Sequence, residues 1–163
     1  MSKGRLVAGL QFPNGLHKWL PYVWVDNFHN DRAVVDDGEN MGYMDRQGNI
    51  CIPLIYFVAE DFSEGLAFAN DGDRTFLLDT EGKTIRQWDE VFITSRFRNG
   101  TALISRLVED GEKAEEALIN TKGEFITPFA PKRQLHDIAD AFTDIETEDD
   151  QWHEGIQRII TED

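Results

Sequence analysis

The sequence predicts a mainly β protein: three degenerate antiparallel β-meander repeats of about 34 residues around one core, with a C-terminal helical segment. Two observations predict it. Phenylalanines that open similar stretches recur 34 and 35 residues apart, at Phe28, Phe62 and Phe97. Within each stretch, two sets of turn residues fall at matching positions between short apolar runs.

Residues 1–27 make a half unit, in which Trp19, Tyr22, Val23 and Trp24 cluster ahead of the first full unit and suit a capping strand. The three units run over 28–61, 62–96 and 97–129, and together with the half unit form a β-repeat domain, 1–129. They open alike, with Phe28-x-x-Asp31-x-Ala33, Phe62-x-x-Gly65-Leu66-Ala67 and Phe97-x-x-Gly100-x-Ala102. Each opening enters an apolar run and then an acidic turn: Asp37-Gly38, Asp71-Gly72 and Asp110-Gly111. Glycine there accepts the positive φ of a tight hairpin turn. A second apolar run leads to Asp45-x-x-Gly48, Asp79-x-x-Gly82 and Asn120-x-x-Gly123. The Asp or Asn oxygen can accept backbone N–H groups ahead of it, with Gly closing the turn. Exit strands follow, two of them ending at Pro53 and Pro128. Each unit thus reads as a three-stranded meander.

Residues 130–163 form an acidic segment with ten acids against three bases. Leu135, Ile138, Ala139 and Phe142 fall at i, i+3, i+4 and i+7, and Trp152, Ile156, Ile159 and Ile160 have similar helical spacing. The expectation is a helical segment packed on the open end of the repeats, or docking a partner.

The units resemble those of the WG-repeat family: Phe-x-x-Gly-Leu-Ala, then Trp-Gly-Tyr-Ile-Asp-x-x-Gly, then Ile-Pro-x-x-Tyr. The matching residues are Gly42-Tyr43-Met44-Asp45-x-x-Gly48, Ile52-Pro53-x-x-Tyr56 and Phe62-x-x-Gly65-Leu66-Ala67. The naming tryptophan is replaced by Met41, Thr75 and Glu116, and the glycine after it survives as Gly42 alone. The resemblance covers roughly 12–129 and implies a repeat scaffold, not one assigned activity.

Charge narrows the function. Thirty-one acids against 16 bases give a net charge of −15, which opposes binding to nucleic acid or an anionic membrane. The start of the chain has no apolar stretch of signal-peptide length, and no apolar window is long enough to span a bilayer, so a cytoplasmic location is expected. Cys51, between Ile50 and Ile52, reads as an inert mid-strand thiol. His17, His29, His136 and His153 lack zinc-ligand spacing, no phosphate-binding glycine loop occurs, and the acids fall into no calcium-loop pattern. No catalytic residue, metal site or cofactor is expected.

What remains is the acidic turn. If the units stack in register, Asp36, Asp37, Glu39, Asp71, Asp73, Glu109, Asp110 and Glu112 form one negative ridge. Such a ridge suits a non-enzymatic protein-binding module with a basic partner, in the manner of a bacterial immunity protein that neutralises a basic toxin. The competing expectation is a small-ligand or carbohydrate-binding module that uses Trp19, Tyr22, Trp24 and Trp88. Oligomeric state and partner identity are left open by the sequence.

Overall fold

A computed structural model describes residues 6–108, 113–131 and 157–162. These residues build antiparallel sheets and contain no helix. The first sheet holds β1 (Leu6–Gln11) and β2 (His17–Leu20). The second is a meander of β3 (Trp24–His29), β4 (Arg32–Asp36), β5 (Met41–Met44) and β6 (Ile50–Tyr56). The third repeats it with β7 (Val58–Ala59), β8 (Leu66–Asn70), β9 (Arg74–Asp79) and β10 (Thr84–Asp89). The fourth does so again with β11 (Phe92–Ile93), β12 (Thr101–Leu107), β13 (Ala114–Asn120) and β14 (Ala130–Pro131).

Each of these meanders has four strands, where the sequence suggested three. The added strand precedes the Phe-x-x-Gly opening; β7 and β11 are two residues long, too short to show a period.

The sheets stack in chain order, and the expected single core is a series of apolar layers. Ala33 and Val35 of β4 face the first sheet with Leu10, Leu20 and Met44, while Val34 faces the third. In β8, Ala67 and Ala69 pack beneath Tyr43 and Tyr56 of the second sheet, whereas Leu66 and Phe68 face the fourth. Ala102 and Ile104 of β12 meet that layer from the far side. A strand buried on both faces reads as a continuous apolar run, because both alternate sets of side chains must leave water. At about 25 cal/mol per Å² of apolar surface, this two-sided burial is the main force joining one sheet to the next.

The C-terminal expectation needs correction where the structure describes it. Residues Gln157–Glu162 form β15, antiparallel to β1 and opposite β2, so the first sheet has the order β15-β1-β2. Ile159 and Ile160 are therefore strand residues, paired with Gly9 and Ala8, not one face of a helix. Their β-branched side chains favour the extended backbone, and β1 offers an edge to pair with. The rest of the expected helical segment, 132–156, lies outside the described residues.

Candidate functional site

Two edges of the stack differ in what their turns do. One edge carries the Phe-x-x-Gly and Asp-x-x-Gly turns, and both work between sheets. Asn30 and Asp31, Glu64 and Gly65, and Asn99 and Gly100 all have positive φ, as a tight hairpin turn requires. The Asn30 side chain accepts the Gly65 N–H at 2.9 Å, and one sheet further on the Glu64 carboxylate accepts the Gly100 N–H at 3.1 Å from either oxygen. Asp45 accepts the N–H groups of Gln47 and Asn49, a pattern repeated at Asp79 and at Asn120. The glycines that close these turns lie over the preceding sheet, Gly48 on Leu10 and Leu20, Gly82 on Ile52 and Gly123 on Arg86.

Strand direction puts the Asp-Gly turns on the opposite edge. Asp37 Oδ1 accepts the N–H of Glu39 and of Asn40, each at 2.8 Å, and Asp36 accepts that of Gly38. Asp71 repeats the clamp with Asp73 and Arg74, and Asn70 takes the place of Asp36. Three carboxylates of the expected ridge thus shape their own turns. Glu39 and Asp73 are exposed, and their carboxylates make no hydrogen bond or ion pair among the described residues. Glu109, Asp110 and Glu112 lie outside the described residues.

The clamps predict a pH response. The backbone N–H groups of Asn40 and Glu39 hold the Asp37 carboxyl below its usual range; those of Arg74 and Asp73 do the same for Asp71. A folded-state pKa lowered in this way contributes stability above the ordinary Asp value, and that contribution is lost as pH falls through the lowered value. Amide shifts of Asn40 and Arg74, followed by NMR on acidification, should titrate together with Asp37 and Asp71, with midpoints below the ordinary Asp range. Midpoints at or above that range would rule the clamps out.

The four aromatic residues do not converge. Trp19 is on β2, half exposed, with its indole against Gly9 and stacked on His17 at 6.4 Å. Tyr22 packs against the layer between the first and second sheets, and Trp24 opens β3, 41% exposed. Trp88 is two sheets away on β10, against the core beside Phe68.

A feature the sequence reading missed lies on the Asp-Gly edge. Between the third and fourth sheets opens a cleft of about 870 Å³, lined by Phe57, Phe92, Leu107 and the Gly72 turn, with Glu60, Asp73 and Glu90 among its walls. Phe57 is 67% exposed and Phe92 50%. They are 35 residues apart and each precedes its repeat phenylalanine by five, as does Val23, which is 40% exposed. Val23 donates its N–H to Asp36 and Phe57 donates to Asn70, so each stands beside its own sheet's acidic turn. The repeat offset was legible in the sequence; the exposure was not.

The profile of the WG containing repeat matches residues 41–74. The chain carries a WG-type repeat over these residues. One repeat is matched, and no curated protein and no solved structure matches the chain. The matched WG repeat begins in β5 and ends just past the Asp71-Gly72-Asp73 turn, at the first residue of β9, so it straddles two sheets. Its aromatic residues explain why. Tyr43 meets Phe62 edge-on at 4.8 Å, and the Tyr43 hydroxyl donates to the Glu60 carbonyl at 2.6 Å. Burial, with the charges of Asp61 and Glu60 next in size, pushes the Tyr43 pKa well above its usual value. The WG signature is the joint between successive sheets. At Met41 the naming tryptophan is absent, and in the next unit Thr75 is buried with its hydroxyl donating to the Val91 carbonyl at 2.6 Å. A WG-repeat β module is a repeat-type binding scaffold, and Cys51 within it is half-buried, with burial raising its thiol pKa.

Proposed function

We propose that this WG-repeat chain is a non-enzymatic protein-binding module whose Asp-Gly edge takes a basic protein. The observation that carries the reading is the placement of the acidic turns. Asp36, Asp37 and Glu39 on the second sheet and Asp71 and Asp73 on the third stand at equivalent ends of successive sheets. The net charge of −15 supports the same partner class, since a negative edge raises the encounter rate with a positive surface. In a bacterial cytoplasm, the role that fits is an immunity protein that neutralises a basic toxin.

The test mixes the full chain with the basic protein encoded beside it, and with a panel of unrelated basic proteins, in stopped flow at low and high salt. Association should slow by at least about tenfold as salt screens the edge. Glu39→Gln with Asp73→Asn should slow it further at low salt while leaving the melting temperature unchanged, because neither carboxylate clamps a turn. Absence of binding to every basic protein, or binding indifferent to salt, would overturn the reading.

A further inference from the structure

We infer that the cleft between the third and fourth sheets is the site where a basic protein segment docks an apolar side chain, with the acids around it receiving flanking Lys or Arg. The inference rests on the protein-binding reading above and says where on the edge recognition is concentrated. Its first support is that three large, exposed apolar side chains share one cleft. The layers bury Phe62, Phe68 and Phe97 to within 2% of complete, yet Phe57, Phe92 and Leu107 on the cleft are each at least half exposed. Large apolar groups left in water side by side mark a surface that another molecule covers.

The second support is repetition. Val23, Phe57 and Phe92 occupy one position in successive units, each five residues before a buried phenylalanine. Val23 and Phe57 each stand beside their own sheet's acidic turn, and Phe92 pairs with Ser105 at the corresponding place in the fourth sheet, so the three positions make an apolar column. The cleft is where two members of the column, Phe57 and Phe92, bracket a hollow large enough for one or two bulky side chains.

The third support fixes the partner's charge. Glu60, Asp73 and Glu90 line the cleft, all exposed, and among the described residues no Lys or Arg lines it. An acidic partner would meet repulsion there, and a neutral apolar one would leave three carboxylates partly desolvated without a counter-charge. A segment with an aromatic or branched aliphatic side chain between Lys or Arg residues satisfies both the floor and the walls. Apolar contact would set its residence time and charge its encounter rate.

The probe is a short fluorescein-labelled peptide carrying a phenylalanine and two leucines between paired lysines, titrated into the full chain. Companion peptides replace the apolar centre by alanines or the lysines by glutamates. Phe57 and Phe92 are exposed, so Phe57→Ser and Phe92→Ser should fold, as circular dichroism would confirm. Each should weaken the parent peptide at least about tenfold, with the loss in dissociation rate. Glu60→Gln, Asp73→Asn and Glu90→Gln together should weaken it several-fold at low salt, chiefly in association rate. The alanine-centred and glutamate-flanked peptides should both bind poorly, and NMR shifts should centre on the cleft.

If basic proteins bind the chain but F57S and F92S leave both them and the peptide unaffected, the cleft assignment falls while the acidic edge stands. If nothing basic binds, both fall. Contacts in the free chain from the Phe92 ring to residues 132–156, or a dimer that F92S dissolves, would also overturn the assignment, since the cleft would already be filled.

Discussion

Replacing Tyr43 by alanine should cost about 3–5 kcal/mol, the range for deleting a buried aromatic ring, and should be the most damaging single truncation in the WG joint. Tyr43 is fully buried and meets Phe62 edge-on, and its hydroxyl reaches across to the next sheet's Glu60 carbonyl. The ring and the hydroxyl contribute through different physics, and their magnitudes say which dominates. A single neutral hydrogen bond is worth about 1 kcal/mol net, and the lost ring several times that. Tyr43→Phe should therefore cost about 1 kcal/mol, with the remainder appearing only on truncation to alanine. Urea unfolding of both variants measures the split. Because a domain of this kind is stable by about 5–15 kcal/mol, the alanine variant should stay folded at low temperature but melt much earlier. A Tyr43→Phe loss as large as the Tyr43→Ala loss would place the stabilisation in the hydroxyl and refute the argument. Phe62→Ala should combine with Tyr43→Ala less than additively, since the two rings form one contact across the sheets.

How much of this joint could be read from the sequence depends on the range of the interaction. Turns are local, so the Asp37-Gly38 and Asp71-Gly72 turns and the Asp-x-x-Gly positions were legible, Asp110-Gly111 lying outside the described residues, and the structure adds the oxygens that clamp them. The layered core was not legible. Ala33-Val34-Val35 and Leu66-Ala67-Phe68-Ala69 look like ordinary apolar runs, and only stacking assigns alternate residues to different neighbours. The C-terminal strand was misread for a related reason. Ile156, Ile159 and Ile160 sit at helical spacing, but β15 pairs with β1 from the other end of the chain, and long-range pairing overrides local period. The candidate site divides the same way. Asp37 and Asp71 were found by their turn chemistry, and proved to be clamps. Phe57 and Phe92 were at a fixed repeat offset all along, but a phenylalanine in a β-rich repeat reads as core until the stack shows it facing water.

Gly42→Ala should lower stability by about 1–3 kcal/mol, although a glycine-to-alanine change often helps a protein. Gly42 does not have the left-handed backbone that only glycine adopts easily, so alanine would restrict the unfolded chain and on that count stabilise by about 0.4–1 kcal/mol. Sterics reverse the sign. A Cβ at Gly42 would lie 2.6 Å from the Ile52 carbonyl oxygen and 2.7 Å from the Pro53 carbonyl carbon. The crowding comes from a bulge. Met41 pairs with Tyr56 and Tyr43 with Ile52, so Gly42 alone stands opposite Pro53, Leu54 and Ile55. In the next sheet the equivalent residue is Phe76, which pairs one-to-one with Gln87, and a large side chain is accommodated. Gly9 supplies the control, because a Cβ there would come equally close, 2.7 Å, but to the ring of Trp19. That ring is half exposed and can swing outward, whereas the β6 backbone cannot move without breaking its ladder. Gly9→Ala should therefore stay within about 0.5 kcal/mol of the parent while shifting Trp19 fluorescence. Thermal melts of the two variants side by side decide the point, and equal losses at Gly9 and Gly42 would show that the bulge is not what demands glycine.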